Sequence, residues 1–450
     1  MEKEILIAWE KTIKDIKSLN DDELKEIFLE SLKYFKKNQP EEQIIIEIIN
    51  DYKIKIKEIL KITPGLSTGL MDIKDNIIVN TYDGTRSDIE EEKINKETVF
   101  DVASTTKLFT ILLLLKEEEK GNIDLSKNYS DYSNYLKEIN IPIIEALRFM
   151  IELRTDGRID EKNISKQEII RRINKTYIYK RNYYKYSDIP YMLVPLLFGK
   201  KKEEATEKYL KTFYETYRSI GLTKTGYSTV NMTGGIITRN KKNILFDPKT
   251  QILETNLGYI SGHAGVTTNI DDLEKLFIEL KNGFLKRESL EKLIKPNNNS
   301  NRGLAVYLNQ GDISKSPVHG ILGKKAFAIS GSTGSYAVFD LENGLMTTFL
   351  ANIKSTTKSK EINTGNIYTF GDNSINVSHN YITQVIGGTN TIKDGRIIDE
   401  KGNEITFFRS TNNFKKEQLK TLIKLKFIKN YLNIENIDYI SNEKKLEIKK

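Results

Sequence analysis

The stretch "FDVASTTKLFTILLLL", residues 100–115, decides how this chain is read. From Leu108 to Leu115 it is apolar apart from Thr110, and it ends in a charged turn closed by Gly121. A run of that kind reads as a buried helix over about 104–120. Yet Ser104 and Lys107 stand at its head. A lysine entering a buried helix is costly unless it is paired or neutral.

Ser104-Thr-Thr-Lys107 has the form S-x-x-K. At a helix start this spacing puts both side chains on one face, one turn apart. The first-turn N–H groups and the positive helix end favour negative charge at the serine oxygen and disfavour a protonated lysine. A desolvated lysine there is expected to have a lowered pKa and to act as general base toward the hydroxyl. The same pattern also arises from an N-capping serine and a snorkelling lysine, so it needs company.

That company is "YKYSDIPYMLVPLL", residues 184–197, another apolar run, opened by Tyr186-Ser187-Asp188. A tyrosine hydroxyl beside a serine–lysine pair can relay a proton to a leaving group. An acid two residues on can pin the lysine through a charge-assisted hydrogen bond. A surface turn with an aspartate N-cap would give the same three letters.

Working outward, residues 3–62 carry helical periodicity in three pieces, with Asn20 capping the second and Pro40-Glu41-Glu42 opening the third. Residues 64–84 read as a β-hairpin with a Lys-Asp-Asn turn. From 121 to about 225 the pattern is mainly helical with charged loops. "SGHAG" (261–265) leads into a helix capped by Asn269 and stopped by Gly283. Residues 326–352 read as three short strands, 389–408 as an appended hairpin and 414–434 as a final basic helix. Strands therefore sit at both sequence ends of a long helical insertion. No internal repeat or low-complexity linker is present. The expected division is a helical prefix 1–62, a main domain 63–388 with its insertion at about 121–260, and a hairpin and basic tail 389–450.

Composition narrows the chemistry. The 450 residues can bury one large core or two ordinary ones, and 38% apolar with 29% charged residues is normal for a soluble protein. Cysteine is absent, which excludes disulfides, thiolate catalysis and cysteine metal sites. The three histidines, His263, His319 and His379, are far apart, so neither a metal nor another cofactor is expected. His263 is read as a hydrogen-bonded structural residue and Trp9 as a core or docking residue.

No signal-peptide h-region is recognised and the longest aliphatic run is too short to span a bilayer, so a cytoplasmic, soluble protein is expected. Net charge is +8, and residues 414–450 hold ten lysines against five acids. That tail reads as the solvated end of an amphipathic helix. Its lack of arginine and its sparse interleaving of aromatics argue against nucleic acid as a partner.

With these motifs in place, the sequence resembles the serine β-lactamase and penicillin-binding-protein superfamily, most closely its class C-like branch of D-alanyl-D-alanine peptidases and esterases. S-x-x-K is among that superfamily's motifs. The resemblance covers roughly 63–355 and rests on five stretches in the expected order. These are "TPGLSTGLMDIKDN", "ETVFDVASTTKLFTILLLLKEEEKGNIDLS", "YKYSDIPYMLVPLL", "FDPKTQILETNLGYISGHAGVTTNIDDLEKLF" and "ISGSTGSYAVFDLENGLMTTFLAN". It implies an α+β fold, an antiparallel sheet flanked by helices and built from both ends of the domain, with a mostly helical inserted subdomain.

Residue by residue, the resemblance makes Ser104 the acylated nucleophile, Lys107 its base or proton partner, and Tyr186 the second base and acid. Asp188 falls where relatives have an Asn or Asp that bonds the lysine and the substrate amide. The third motif falls on Ile329-Ser330-Gly331, with Ser332 and Ser104 supplying the oxyanion N–H groups. Relatives carry a Lys, His or Arg where this chain has Ile329; Lys324, Lys325 and His319 are the nearby cations in sequence.

Two functions are compatible with this pattern. One is a serine hydrolase that passes through an acyl-enzyme on a small-molecule or peptide-like ester or amide. The other is a catalytically weakened member that binds a peptide or partner because of Ile329.

Overall fold

The hairpin expected at 64–84 forms, with β1 (Gly65–Asp72) and β2 (Ile77–Gly84) in antiparallel register and Asn76 at φ 52° in the turn. An asparagine tolerates that left-handed conformation better than most residues. The computed structural model describes residues 2–14, 16–18, 20–36, 39–60, 63–86, 92–136, 139–157, 164–227, 244–245, 260–297, 300–311, 316–352, 360–362, 367–370, 373–376, 391–393, 396–398, 407–441 and 445–449. The chain divides into two compact units, one of residues 1–98, 309–326 and 332–450, the other of 99–308 and 327–331. His379 lies outside the described residues.

In the first unit, β1 and β2 join β11 (Ser335–Asp340), β12 (Leu345–Ala351), β18 (Asn436–Ile440) and β19 (Lys445–Lys449) in the order β19-β18-β2-β1-β12-β11. Only the β18–β2 pair in that series is parallel. The helices are α1 (Glu2–Lys14), α2 (Asp21–Ser31), α3 (Glu41–Ile59) and α11 (Phe407–Leu432). Asn20 caps α2 as expected, its Oδ1 accepting from Glu23 N–H at 3.2 Å.

α11 packs against α1 and α3 and lies on β1. Trp9 docks on it, with ring centroids 5.3 Å from Phe427 and 5.1 Å from Phe28. At the sheet, Gln418 Nε2 donates to Tyr52 Oη at 3.1 Å and to Thr348 C=O at 2.9 Å. Further along the chain, β13 (Lys360–Ile362), β14 (Ile367–Phe370) and β15 (Asn373–Asn376) form a small antiparallel sheet. β16 (Thr391–Lys393) and β17 (Arg396–Ile398) pair within the expected appended hairpin.

The basic helix departs from its expected solvated role. Leu419, Leu422, Ile423, Leu425, Phe427 and Ile428 are buried, and so are Lys420, Lys424, Lys426 and Lys429. Acids of α2 and of the β1–β2 turn neutralise these lysines. Lys420 Nζ meets Glu26 at 2.9 Å and Glu30 at 2.8 Å, and Lys424 meets Glu30 at 2.6 Å. Lys426 reaches the fully buried Asp72 at 2.8 Å and also contacts Asp75. The tail is a core element whose charge is matched from within its own unit.

The second unit opens on β3 (Val99–Asp101), a 3-10 turn over Ala103–Thr105 and α4 (Thr106–Glu119). α4 is buried on nearly every side, as its sequence requires. β3 lies in a sheet of order β6-β8-β3-β7 with β6 (Gly226–Tyr227), β7 (Ile244–Leu245) and β8 (Val266–Thr268). Around it stand α8 (Lys202–Ser219), α9 (Ile270–Lys281) and α10 (Arg287–Ile294). Asn269 caps α9 and Gly283 follows its end at φ 94°, both as expected. β9 (Tyr307–Leu308) pairs with β10 (Phe327–Gly331), which packs on the Ala103–Thr105 turn.

Between Gly121 and α8 the mainly helical expectation holds, with one β-hairpin that was not expected. This segment holds α5 (Ile143–Leu147), α6 (Lys166–Asn174) and α7 (Ile189–Met192), and a hairpin of β4 (Ile151–Arg154) and β5 (Tyr177–Arg181). Pro142, Pro190 and Pro195 sit at element starts, and Phe149 and Asn182 adopt positive φ. These residues break the apolar periodicity into short pieces. The α+β class itself is as expected.

The lysine–acid pairing in the first unit has a measurable consequence. Lys426→Ala leaves Asp72 buried without its cation, so a loss of about 3–5 kcal/mol is expected at pH 7. Burial already raises the Asp72 pKa despite the pull of Lys426. Losing the lysine raises it further, so the gap from wild type should narrow as pH falls into the carboxylate range. Urea midpoints of both proteins at pH 7 and pH 4 check this; equal midpoints at pH 7 would refute it.

Candidate active site

Ser104 sits one residue after Ala103, a buried alanine at φ 44°. That conformation costs an L-residue roughly 1–2 kcal/mol. The buried Asp101 holds it, its Oδ1 accepting from Ala103 N–H at 2.8 Å. The sharp turn leaves Ser104 half-buried at the head of α4, and among the described residues its backbone N–H has no acceptor.

Lys107, 1% exposed, turns back beneath the serine. Its Nζ donates to Ser104 Oγ at 3.0 Å and to the His263 carbonyl at 3.2 Å, and pairs with Asp188 Oδ1 at 2.7 Å. Tyr186, 38% exposed, donates from Oη to Ser104 Oγ at 2.9 Å. Its ring lies 4.9 Å from Phe149, whose carbonyl accepts from Lys185 N–H at 2.9 Å and so anchors the segment before Tyr186. The structure thus brings Ser104, Lys107, Tyr186 and Asp188 together from two stretches about 80 residues apart.

Electrostatics correct one expectation. Burial acts to strip the proton from Lys107, but Asp188 and Tyr186 outweigh it, and the pKa is raised above the usual lysine range. Burial likewise opposes charge on Asp188, yet Lys107, His263 and hydrogen bonds from Lys107 and Tyr186 hold its carboxyl at about 2. Burial raises the Tyr186 pKa, with Lys107 lowering and Asp188 raising it. The resting site is an ammonium–carboxylate pair beside two neutral hydroxyls, not the free amine that helix-end electrostatics alone predicts. A 2.7 Å carboxylate outweighs a helix dipole.

The other expected site residues are placed as follows. Ile329, Ser330 and Gly331 end β10, with Ile329 3% exposed and uncharged and Ser330 half-buried. Ser332, Lys324, Lys325 and His319 belong to the first unit. There His319 is buried 3.2 Å from Glu23, and burial lowers its pKa, so it is no spare cation.

Sequence reasoning missed the part played by the His263 backbone. Gly262 could have signalled it: a Cβ there would lie 2.6 Å from the Tyr191 carbonyl, so only glycine brings the loop down onto Lys107. It also missed Phe149 and Arg302, a buried cation 5.6 Å from the Tyr186 ring centroid.

A family model described as Beta-lactamase matches residues 56–369, more than half of the chain. The chain belongs to the beta-lactamase family. Solved structures similar to it include EstCE1, a hydrolase with promiscuous acyltransferase activity, at TM-score 0.51 and 14% identity over 69% of this chain and 93% of that one. A class C beta-lactamase matches at TM-score 0.50 and 14% identity over 70% and 93%. At these identities the likeness establishes the shared fold. No curated protein matches the sequence significantly. Among the described residues no helix is long and apolar enough to cross a membrane, and no cluster of His, Asp and Glu could hold a metal ion.

The Lys107–Asp188 pair should be visible in stability. Asp188 has its pKa below the unfolded value of about 4, so its contribution is full above that pH and fades as pH falls toward 2. Lys107 has a raised pKa, so its contribution is full below about pH 10 and fades as pH rises through the folded value. Asp188→Asn should cost about 1–3 kcal/mol near pH 7, a range reduced because the carboxylate is nearly half exposed and screened. Chemical denaturation between pH 3 and pH 9 measures it; a wild-type-like midpoint at pH 7 would show that the ion pair does not hold the site.

Proposed function

We propose that the protein is a serine hydrolase that cleaves esters or amides through an acyl-enzyme on Ser104. The observation that carries this reading is that Lys107 Nζ and Tyr186 Oη both lie within 3.0 Å of Ser104 Oγ. Ser104 attacks the carbonyl carbon while its proton passes to Tyr186 Oη, and the proton Tyr186 already carries passes to the leaving oxygen or nitrogen. The tyrosine ends the acylation step protonated, so neither a tyrosinate nor a neutral lysine is needed at rest. Lys107 stays an ammonium and stabilises the negative charge that develops on Oγ and Oη. The Ser104 N–H, without an acceptor among the described residues, donates to the oxyanion of the tetrahedral intermediate. Water then repeats the sequence to release the acid.

Fluorophosphonate labelling and nitrophenyl-ester turnover test the reading. Ser104→Ala should take no label, and Lys107→Ala should lose at least about a thousandfold in kcat/KM. Tyr186→Phe should lose about a hundred- to ten-thousandfold, the usual range for a proton-transfer group. A folded wild type that is neither labelled nor active overturns the proposal in favour of a binding protein.

The relay also fixes a pH dependence. The pKa of Asp188 lies far below neutrality and those of Lys107 and Tyr186 above their ordinary values. The kcat/KM profile is therefore expected to be flat from about pH 5 to about pH 9. An inflection near neutrality that persists in His263→Ala would instead assign the base to a titrating lysine or tyrosinate.

A further inference from the structure

Position 329, where the resemblance places a basic residue, is a buried isoleucine. Lys107 favours negative charge on Tyr186, and Asp188, 2.7 Å from Lys107 Nζ, offsets part of that field. Arg302 is another cation at the site. Its guanidinium carbon lies 5.6 Å from the Tyr186 ring centroid and 3.2 Å from that of Tyr307. The residue is 6% exposed and forms no ion pair among the described residues. Nη1 donates to the Ala305 carbonyl at 3.1 Å, while the buried Nε has no acceptor among the described residues.

The loop around it is shaped to hold this side chain. Ala305 adopts φ 62°, and a Cβ at Gly303 would lie 2.2 Å from the Leu293 carbonyl. Arg302 N–H donates to Ser300 Oγ at 3.2 Å and its carbonyl accepts from Asn297 N–H at 3.0 Å. Stability alone does not call for a guanidinium here, because an apolar side chain of similar volume is usually no worse than a buried charge. A cation without an ion pair among the described residues, kept against two tyrosine rings, has its effect on those rings.

Resting on the acyl-enzyme reading above, we propose that Arg302 is a positioning residue for Tyr186. Its cation–π contact orients the ring, and its charge adds to a Lys107 field that Asp188 partly offsets and to which Ile329 adds nothing. The same charge pulls down the pKa of Tyr184 and Tyr191 against the burial that raises them. Arg302 reaches the reaction through Tyr186 and does not itself hold the reacting atoms.

The test follows the rate of Ser104 acylation by a fluorophosphonate probe and the kcat/KM–pH profile on nitrophenyl acetate. It compares wild type, Arg302→Met, Arg302→Lys and the double variant Arg302→Met/Ile329→Lys, each checked for folding by thermal melt. Arg302→Met should slow acylation about tenfold or more, with KM within about twofold, and should move the alkaline limb to higher pH. Arg302→Lys should stay within about threefold of wild type, and Ile329→Lys should restore part of the loss in the Arg302→Met background.

A folded Arg302→Met that acylates at the wild-type rate with an unchanged alkaline limb overturns the inference. If that variant does not fold, a tenfold loss in folded Arg302→Lys does the same, because the charge is retained. A wild type that takes no label on Ser104 sinks the acyl-enzyme reading itself, a result distinct from a labelled wild type matched by Arg302→Met.

Discussion

The second unit is organised around one buried ammonium. Lys107 is 1% exposed, and a charge so placed must be met by a carboxylate and by acceptors for its remaining protons. Asp188, the His263 carbonyl and Ser104 Oγ meet that need from three separate segments. Each segment is held by its own constraint. Ala103 takes a left-handed turn, Phe149 anchors the approach to Tyr186, and Gly262 lets its loop lie against the Tyr191 carbonyl. The reactive geometry is thus also what compensates the buried charge.

Compensation has a chemical consequence. A free amine beside serine would be a ready base, but it would titrate near neutrality and protonate as conditions changed. The pair with Asp188 removes that titration and leaves Lys107 as a fixed electrostatic partner. In the proposed relay, proton movement falls to Tyr186, which bonds directly to Ser104 Oγ and is 38% exposed. A hydroxyl that gives one proton as it takes another suits this duty, since it never carries a full charge in a site with little charge to spare.

Much of this was legible in the sequence where a local rule governs. The apolar run after Lys107, the hairpin turn at Asn76 and the caps at Asn20 and Asn269 depend on neighbours within a few residues, and they appear as read. Ser104, Lys107, Tyr186 and Asp188 were nameable because each type has a chemical reason to stand near the others. What failed was long-range. The lysines of α11 look solvated until the acids of α2, nearly 400 residues away in the chain, are placed against them. The helical character of the segment between Gly121 and α8 was legible, but its β4–β5 hairpin was not, because periodicity does not register where prolines and positive-φ residues interrupt it. Lys107 was misjudged in protonation state for the same reason: the helix end is local information, whereas the distance to Asp188 is not.

Ile329 looks, in isolation, like a residue that disarms the site. Under the proposed role of Arg302 it has a different meaning. A basic residue on β10 is one way to place positive charge near Tyr186, and a loop ending at β9 is another. Arg302 stands on that loop, buried, stacked on Tyr307 and free of any carboxylate among the described residues. If charge near the tyrosine is what the reaction requires, then its source can move between neighbouring segments while the serine, lysine and tyrosine stay fixed. The identity of a single motif residue is then a poor guide to activity, and the field at the tyrosine a better one.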